Sequence, residues 1–430
     1  MASTEYIYKG YWWIPSCPEK QTAGILTIVN DGAITLELLG MLGDRECELD
    51  SDYNEDVIYG RCYDSQNHLK DISLFDCSSS FILNFSSTFP LFKYHCRYAL
   101  VGIHLESMNC KSFFKAYACI DELSYWCPPS NIRMSHSKDS VSITLNTLSG
   151  EDAVIDTIDL DVGVRLELVR AYVHRLDLYK PYIESSTGLR ISAEKLSAKE
   201  VLHNVRRFEE LLSVLTLSSS VEHSKIILSS NDIYQEFPNG ERIYHPIYFY
   251  TKLYKADKRS DVRKQSFLCM YSDISSDIHD GIKRFYSNPS ITHIWNNLID
   301  SLEIRKVYSS NDFLLVVQAL DGFSIRFRKE SKSFFDQLKD LRDEFKSIDK
   351  VCLTDDDLKA VRDSRHYYSH MLSLKKKQTR NVLDGSHLYV LTKKLRILLI
   401  CCVLNFLGLN NDVINGLLNK SANQILYIPD

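Results

Sequence analysis

The chain contains the stretch TDDDLKAVRDSRHYYSHML at residues 354–372, which predicts one amphipathic helix. Thr354 is a favourable N-cap, three aspartates follow it, and no Gly or Pro interrupts the chain before Gly385. Apolar residues recur at three- and four-residue spacing along one face, and Arg365 falls on that stripe. Because a charge on a buried face is costly unless it has a partner or a task, Arg365 is a candidate functional residue.

His370 follows Arg365 by five residues, and His366 lies between them. At about 100° per residue, His370 is turned roughly 140° from Arg365 and lies about 7.5 Å along the axis, so the two can flank one cleft without stacking. His366 and His370 are four residues apart and share one face. RNA carries its own nucleophile, the 2′-hydroxyl, so a proton-transferring histidine and a charge-stabilising arginine suffice for metal-free cleavage. The alternative is a solvent-facing charged helix.

The pattern of an arginine, four residues and a histidine resembles the signature of HEPN ribonucleases. The pair Tyr367-Tyr368 matches the Arg-Asn-Tyr-Tyr-Thr-His form of HEPN domains in the ApeA family, although His366 stands where that family more often has Asn. Residues 313–321, FLLVVQALD, resemble the first HEPN helix, which often has Glu at the position of Asp321. In the N-terminal half the similar segments are GYWWIP at 10–15, GILT at 24–27, LELLG at 36–40 and residues 123–126.

The resemblance implies a bacterial anti-phage defence protein whose C-terminal half is a metal-independent endoribonuclease. It favours His370 as the residue that moves the proton, with His366 assisting and Arg365 stabilising the phosphorane charge. Asp321 would orient Arg365 or a histidine, the alternative being a surface acid, and Tyr367 would support the site. Neither a cofactor nor a metal ion is expected.

The same resemblance implies partners. HEPN nucleases combine two motifs in one cleft by dimerising, so a homodimer or a higher homo-oligomer through the HEPN domain is expected, with RNA as substrate and a phage-encoded trigger as a further partner. The candidates for binding the RNA backbone are Lys375, Lys376, Lys377 and Arg380. An ordinary solvated loop is the alternative for these four, and a non-catalytic RNA- or protein-binding scaffold is the competing function.

The fold class predicted for the 430 residues is α+β, a β-rich N-terminal domain followed by an all-α HEPN helical bundle. Residues 1–280 show strand-like alternation, and a capping box at Ser197 and Glu200 predicts an internal helix near 197–217. We assign this domain to sensing or regulation. Predicted strands include 81–85, a hairpin of 140–145 with 154–158, and 243–253. Predicted helices in the domain of residues 281–430 are 290–302, 311–326, 333–346, the 354–372 helix, 386–407 and 412–419.

Charge distribution, apolar content and the absence of known motifs limit the classes of protein to which the chain can belong. Residues 351–430 contain eleven Lys and Arg against seven Asp and Glu, a net +4, whereas the first 350 residues carry −9. The apolar run 395–409 is shorter than the roughly 20 residues of a membrane span, so it predicts a core helix, with Lys393, Lys394 and Arg396 at its solvent- or RNA-facing start. The polar N-terminus predicts a cytoplasmic protein, and CxxC, GxSxG, HExxH and P-loop motifs are absent from the sequence.

Overall fold

The computed structural model describes residues 5–29, 32–43, 54–82, 91–129, 132–137, 141–145, 153–160, 163–175, 182–218, 221–251, 266–275, 277–302, 309–328, 333–373 and 381–428. The strands of these residues are β1 Glu5–Trp13, β2 Thr22–Val29, β3 Ile34–Leu38, β4 Asn54–Tyr63, β5 Leu69–Ile82, β6 Leu91–Val101, β7 Phe113–Ile120, β8 Ile132–His136, β9 Val141–Leu145, β10 Val154–Asp159, β11 Arg165–Arg175, β12 Tyr182–Leu196, β13 His223–Ser229, β14 Tyr234–Glu236, β15 Arg242–Tyr244 and β16 Ile247–Thr251. The α-helices are α1 Asp121–Trp126, α2 Ala198–Thr216, α3 Tyr271–Ile274, α4 Ile278–Ser287, α5 Thr292–Leu302, α6 Ser310–Phe323, α7 Phe334–Glu344, α8 Asp355–Ser369, α9 Gly385–Phe406 and α10 Asn411–Lys420.

The first six strands form a closed antiparallel barrel. Their order is β6-β3-β2-β1-β4-β5, and β5 pairs again with β6 to close it. Alternating side chains point inward, so Trp12, Leu26, Leu36 and Ile58 are fully buried in a core separate from that of the rest of the chain. A Cβ atom on Gly60 would lie 2.3 Å from the Trp12 ring, so glycine there makes room for the indole.

The same sheet continues beyond the barrel, and this part of it carries the helices. Strand β6 also pairs with β16, and the order continues β16-β13-β7-β12-β11-β10. Helix α2 lies on this sheet, and its capping box is present as predicted, with Ser197 and Glu200 bonded reciprocally. The apolar face of α2 also contacts α5, where Trp295 Nε1 donates to the Glu210 carbonyl over 2.6 Å. The β-rich and helical regions therefore share one continuous hydrophobic core.

The C-terminal region is helical. Helix α6 packs against α5, α8 and α9, and α7 packs against both α8 and α9. Helix α9 is buried over most of its length, which confirms the core helix predicted from its apolar run. Among the described residues, none of the helices combines the length and the apolar character that crossing a membrane requires. The structure thus has the α+β organisation that the sequence predicted.

Two strand predictions are wrong, and a third is tested only in part. Strand β9 pairs with β8, and β10 pairs with β11, so residues 140–145 and 154–158 do not form a hairpin with each other. Phe81 and Ile82 end the long strand β5, and residues 83–85 lie outside the described part of the chain. Residues 243–253 divide into β15 and β16, with 252 and 253 likewise outside.

The cations at the start of α9 do not face solvent or RNA, which corrects the prediction for them. Lys393 is 5% exposed and donates to the carbonyls of Gln424 and Tyr427 over 3.0 and 2.7 Å. Arg396 is 2% exposed, donates to Ser301 Oγ over 3.2 Å, and has its pKa lowered by burial. Lys394 forms an ion pair with Asp357 at 2.9 Å. All three therefore bind protein groups within the bundle.

Candidate active site

Helix α8 carries the Arg365–His370 pattern and is defined at both ends. Thr354 Oγ1 accepts from the Asp357 backbone N–H, and Asp357 accepts from the Thr354 backbone N–H over 2.9 Å. The helix ends where Met371 adopts a left-handed backbone with φ of 45°. The Leu372 N–H then donates to the Tyr367 carbonyl over 3.1 Å, which is the Schellman arrangement. His370 is therefore the C-cap residue.

Arg365 is held on two sides. Its Nη2 donates to Asp321 Oδ2 of α6 over 2.7 Å, and its Cζ lies 4.3 Å from the centre of the Phe334 ring at the start of α7. The Arg365 side chain is 34% exposed and that of Asp321 20%, so the pair lies at the edge of the core. An arginine has five N–H donors, and this one uses a single donor on a described side chain. The guanidinium is therefore oriented, and its other N–H donors have no hydrogen-bond partner among the residues that the structure describes.

The two histidines are adjacent and exposed. The ring centres of His366 and His370 lie 4.8 Å apart with 60° between the ring planes, as their four-residue spacing predicted. Both side chains reach solvent at the C-terminal end of α8. Two imidazoles at this distance can divide the two proton transfers of an acid–base reaction between them.

Arg365, His366 and His370 line one cleft of about 1060 Å³. The other lining residues come from the start of α7, from the exposed side of α8 and from the chain before α9: Ser333, Phe334, Phe335, Arg362, Asp363, Ser369 and Asn381. Arg362 lies 5.8 Å from the Phe335 ring centre and pairs with Asp363 at 3.0 Å. Two arginines and two histidines line the cleft, with Asp363 beside Arg362 and Asp321 behind Arg365, so guanidinium and imidazole N–H groups that can bind a phosphodiester face one space.

Comparison with known families gives two matches that together span most of the chain. The family model described as ApeA N-terminal domain 1 matches residues 7–285, and that described as Apea-like HEPN matches residues 314–413. The first covers more than half of the 430 residues. The chain belongs to the ApeA family. Comparisons with curated proteins and with solved structures gave no match.

The Apea-like HEPN segment contains every site residue that the sequence predicted. The structure brings Arg365, His366 and His370 into one cleft, and it places Asp321 behind Arg365. Tyr367 is half-buried beside Tyr368, with ring centres 5.1 Å apart, and is not among the residues that line the cleft. Lys375, Lys376, Lys377 and Arg380 lie outside the described residues.

In this ApeA-family chain, residues 381–383, which follow the segment of Lys375 to Arg380 in the sequence, form hydrogen bonds with α8. The Asn381 N–H donates to Asp363 over 3.1 Å, and the Leu383 N–H donates to Ser364 Oγ over 3.0 Å. Tyr368 Oη donates to the Leu383 carbonyl over 2.9 Å. Tyr368 therefore has a structural task, and Asn381 enters the cleft directly after the basic segment.

Sequence reasoning did not assign the residues that complete the cleft. Phe334 and Phe335 follow the N-cap Ser333, and only the helix start was recognisable from their sequence. Arg362 and Asp363 stand inside the quoted stretch, but their contacts with Phe335 and Asn381 depend on tertiary packing. Among the described residues, no three His, Cys, Asp or Glu side chains come together as metal ligands would.

Proposed function

We propose that this ApeA-family chain is a metal-independent endoribonuclease that acts in anti-phage defence by abortive infection. The observation that carries the proposal is the common cleft, in which an arginine held by Asp321 and two adjacent histidines face the same space. The guanidinium and imidazole groups of the lining side chains and the Apea-like HEPN match at residues 314–413 support it.

The proposed reaction is attack by the RNA 2′-hydroxyl on the adjacent phosphorus. One histidine removes the 2′ proton, the P–O2′ bond forms, the P–O5′ bond breaks, and a protonated histidine supplies a proton to the departing 5′ oxygen. The products are a 2′,3′-cyclic phosphate and a 5′-hydroxyl end. We assign the main proton transfer to His370, with His366 assisting. Arg365 stabilises the additional negative charge of the phosphorane with the N–H donors that do not bind Asp321.

A second copy of the chain is part of the proposal. Each chain offers Arg365, His366 and His370, and a two-fold interface through the HEPN domain would bring two such sets to one substrate. We propose a homodimer or a multiple of it. We further propose that Lys375, Lys376, Lys377 and Arg380, which precede Asn381 in the sequence, bind the RNA backbone, so that RNA binding would weaken with salt.

The N-terminal domain is proposed to sense a phage-encoded trigger or restrain the nuclease, with the boundary between residues 280 and 281. The contacts between α2 and the helical region support communication between the two. Arg207 donates to the Phe285 carbonyl over 2.6 Å, stacks on the Phe285 ring at 3.8 Å and pairs with Glu210. A shift of the sheet beneath α2 would therefore be transmitted to α4 and α5.

The competing function is a non-catalytic scaffold that binds RNA or protein. The observation that favours it is the Asp321–Arg365 pair stacked on Phe334, because the same contacts would stabilise a bundle without any chemistry. The two functions differ in one measurable property, because only the nuclease would cleave RNA.

The experiment compares the wild type with Arg365→Ala and His370→Ala in cleaving labelled single-stranded RNA with a chelator present. Matched controls are His387→Ala, an exposed histidine at the start of α9, and Lys359→Ala, an exposed cation on α8. We expect both site variants to fold normally and to lose at least a hundredfold in rate, while both controls cleave like the wild type. Equal rates in all five proteins, or no cleavage by any of them, would favour the scaffold.

A further inference from the structure

The cleft is larger than the proposed chemistry requires. Its volume of about 1060 Å³ is at the upper end of the roughly 300–1,000 Å³ of pockets that enclose drug-sized ligands, whereas a phosphodiester is a small part of a nucleotide. The lining residues of α8 run from Arg362 to His370, which is about 12 Å along the helix axis. Arg365 and the two histidines occupy the C-terminal part of this wall, so the part around Arg362 has no role in the proposed reaction.

Two contacts between α7 and α8 distinguish the two parts of the cleft. Phe334 and Phe335 are the first residues of α7, and each packs against an arginine of α8. The Phe334 ring centre lies 4.3 Å from Arg365 Cζ, and the Phe335 ring centre lies 5.8 Å from Arg362 Cζ. The Arg362 side chain is 55% exposed, and its Nη atoms form no hydrogen bond with any residue that the structure describes. Arg362 and Phe335 therefore present a planar, accessible surface to the cleft.

Asp363 holds Asn381 beside Arg362. Its Oδ1 accepts from Arg362 Nε over 3.0 Å, and its Oδ2 accepts from the Asn381 backbone N–H over 3.1 Å. The Asp363 side chain is only 14% exposed, so it is a fixed anchor for both neighbours. Asn381 itself is exposed, and within the described part of the chain its side-chain amide has no hydrogen-bond partner. An amide with two N–H donors and an acceptor oxygen therefore lies beside the planar surface.

A planar surface next to an amide is suited to binding a nucleobase. Proteins that recognise RNA by sequence bind unpaired bases, stack them on aromatic rings or arginine planes, and form hydrogen bonds with their edges. Stacking alone tolerates every base, because every base has a π face, whereas hydrogen bonds to the edge distinguish one base from another. Asparagine pairs with adenine by accepting from N6 and donating to N7. The surface of Phe335 and Arg362 can therefore hold a base, and Asn381 can select it.

We propose that Phe335, Arg362 and Asn381 form a subsite that binds one unpaired adenine next to the scissile phosphate. The adenine stacks on the Arg362 guanidinium, which Phe335 supports from the other side, and the Asn381 amide binds N6 and N7. RNA as the ligand rests on the proposed function, but binding at the subsite requires no catalysis and can be measured without it. An adenine inside a duplex is excluded, because its neighbours cover both of its faces.

The test measures binding of 2′-fluoro oligonucleotides, which lack the 2′-hydroxyl and cannot be cut by the proposed reaction. Anisotropy titrations of the full-length chain compare a short labelled oligouridine with the same strand carrying one central adenine. We expect the adenine to tighten binding at least fivefold, and Asn381→Ala to abolish this difference. Asn381→Asp can accept but not donate, so it should favour a central cytosine over adenine. The matched control is Asn311→Ala, an exposed asparagine of α6, which should keep the preference for adenine.

The stacking surface is tested with Phe335→Leu and Arg362→Lys. The first keeps an apolar side chain and the second keeps the positive charge, but each removes a planar group. Both should weaken binding of the oligouridine and of the adenine strand by similar factors of at least fivefold, because stacking does not depend on the base. Urea titrations establish that both variants fold. Asn381→Ala changes no hydrogen bond of a described side chain, so it remains the decisive variant.

The outcomes separate the subsite from the nuclease. The subsite is overturned if the wild type binds neither strand or both equally, or if Asn381→Ala keeps the preference for adenine. It is also overturned if the adenine strand annealed to its complement shows the same preference that depends on Asn381. Cleavage of RNA without such a preference would refute the subsite alone. Binding of adenine that depends on Asn381, without cleavage of any RNA, would support the subsite and refute the nuclease.

Discussion

Replacing Asp321 tests how the cleft orients its arginine. In the structure Asp321 Oδ2 accepts from Arg365 Nη2 over 2.7 Å, and Phe334 supports the guanidinium from the other side. Asp321→Asn keeps the shape and one acceptor oxygen but removes the charge. Asp321→Ala removes both. If Asp321 positions Arg365, both variants lower the rate of the chemical step and the alanine lowers it more.

The loss of rate expected for the Asp321 variants follows from how far the Asp321–Arg365 pair is exposed to solvent. Exposed ion pairs contribute about 0.2–1 kcal/mol, and hydrogen bonds to charged groups about 1.5–3 kcal/mol. With side chains 34% and 20% exposed, the Asp321–Arg365 pair lies between these cases and is discounted for solvent to about 1 kcal/mol. Since 1.36 kcal/mol is tenfold in rate, Asp321→Ala should slow the reaction about fivefold and Asp321→Asn less. Arg365→Ala, which removes the stabilising group itself, should cost about a hundred- to a thousandfold.

The assay is single-turnover cleavage of a labelled RNA at saturating protein, which separates the chemical step from binding. A positioning residue should change the single-turnover rate with little effect on RNA affinity, and the pH profile of the rate should keep its shape because both histidines remain. Asp356→Asn, the same chemical change at an exposed acid of α8, is the control.

The reasoning would be refuted if both Asp321 variants cleaved at the wild-type rate while Arg365→Ala was inactive. Arg365 would then be oriented without Asp321. A loss with Asp321→Ala as large as with Arg365→Ala would also contradict it, because about 1 kcal/mol cannot account for a thousandfold effect.

Three further predictions concern stability. Met371→Gly should raise the free energy of unfolding by about 1 kcal/mol in urea titrations, because Met371 has a left-handed φ of 45° that glycine adopts without strain. An unchanged urea midpoint would contradict this prediction. Gly281→Ala should lower the free energy of unfolding by about 1–3 kcal/mol, because the new Cβ would lie 2.0 Å from the Leu407 carbonyl oxygen. Wild-type stability would refute this contact between α4 and the residue after α9. Burial would raise the pKa of Asp357, but the hydrogen bonds from Thr354 and Lys394 outweigh burial and lower the pKa overall. The stabilising contribution of the Asp357 carboxylate is therefore present above the ordinary carboxyl pKa of about 3.9 and is lost as the pH falls through the lower pKa of the folded protein. Urea titrations at pH 6 and pH 3 should therefore show a smaller loss of stability between the two pH values for Asp357→Asn than for the wild type. Equal losses would show that Asp357 is not the source of this pH dependence.

Local signals were sufficient for helices α2 and α8 and for the contact between the two histidines. Thr354, the aspartates after it and the spacing of apolar residues define α8 without help from the rest of the fold, and the four-residue spacing fixes the contact between His366 and His370. The capping box at Ser197 identified α2 in the same way. These features depend on residues within one or two turns of each other.

Features that depend on distant residues could not be predicted. The closing of the barrel by β5 and β6 and the partners of β9 and β10 are decided by which strands meet, and neither alternation nor turn residues specify this. Strand β5 starts at Leu69, well before the predicted strand 81–85, and it includes Asp76, with φ of 51°, and a run of serines, which are not typical strand residues. Lys393 and Arg396 resembled solvent-facing cations because their partners, near residue 424 and at Ser301, are remote in sequence.

The most direct measurement of the central claim uses an RNA with a single preferred cleavage site and the same RNA with a 2′-deoxy sugar at that site. With chelator present, the wild type should cut the first RNA to a 2′,3′-cyclic phosphate and a 5′-hydroxyl end, identified by mass spectrometry, and should leave the second intact at that bond. Cleavage of the 2′-deoxy RNA at that bond, or a product with a 5′-phosphate, would show that the substrate does not supply the nucleophile and would contradict the mechanism assigned to Arg365 and His370.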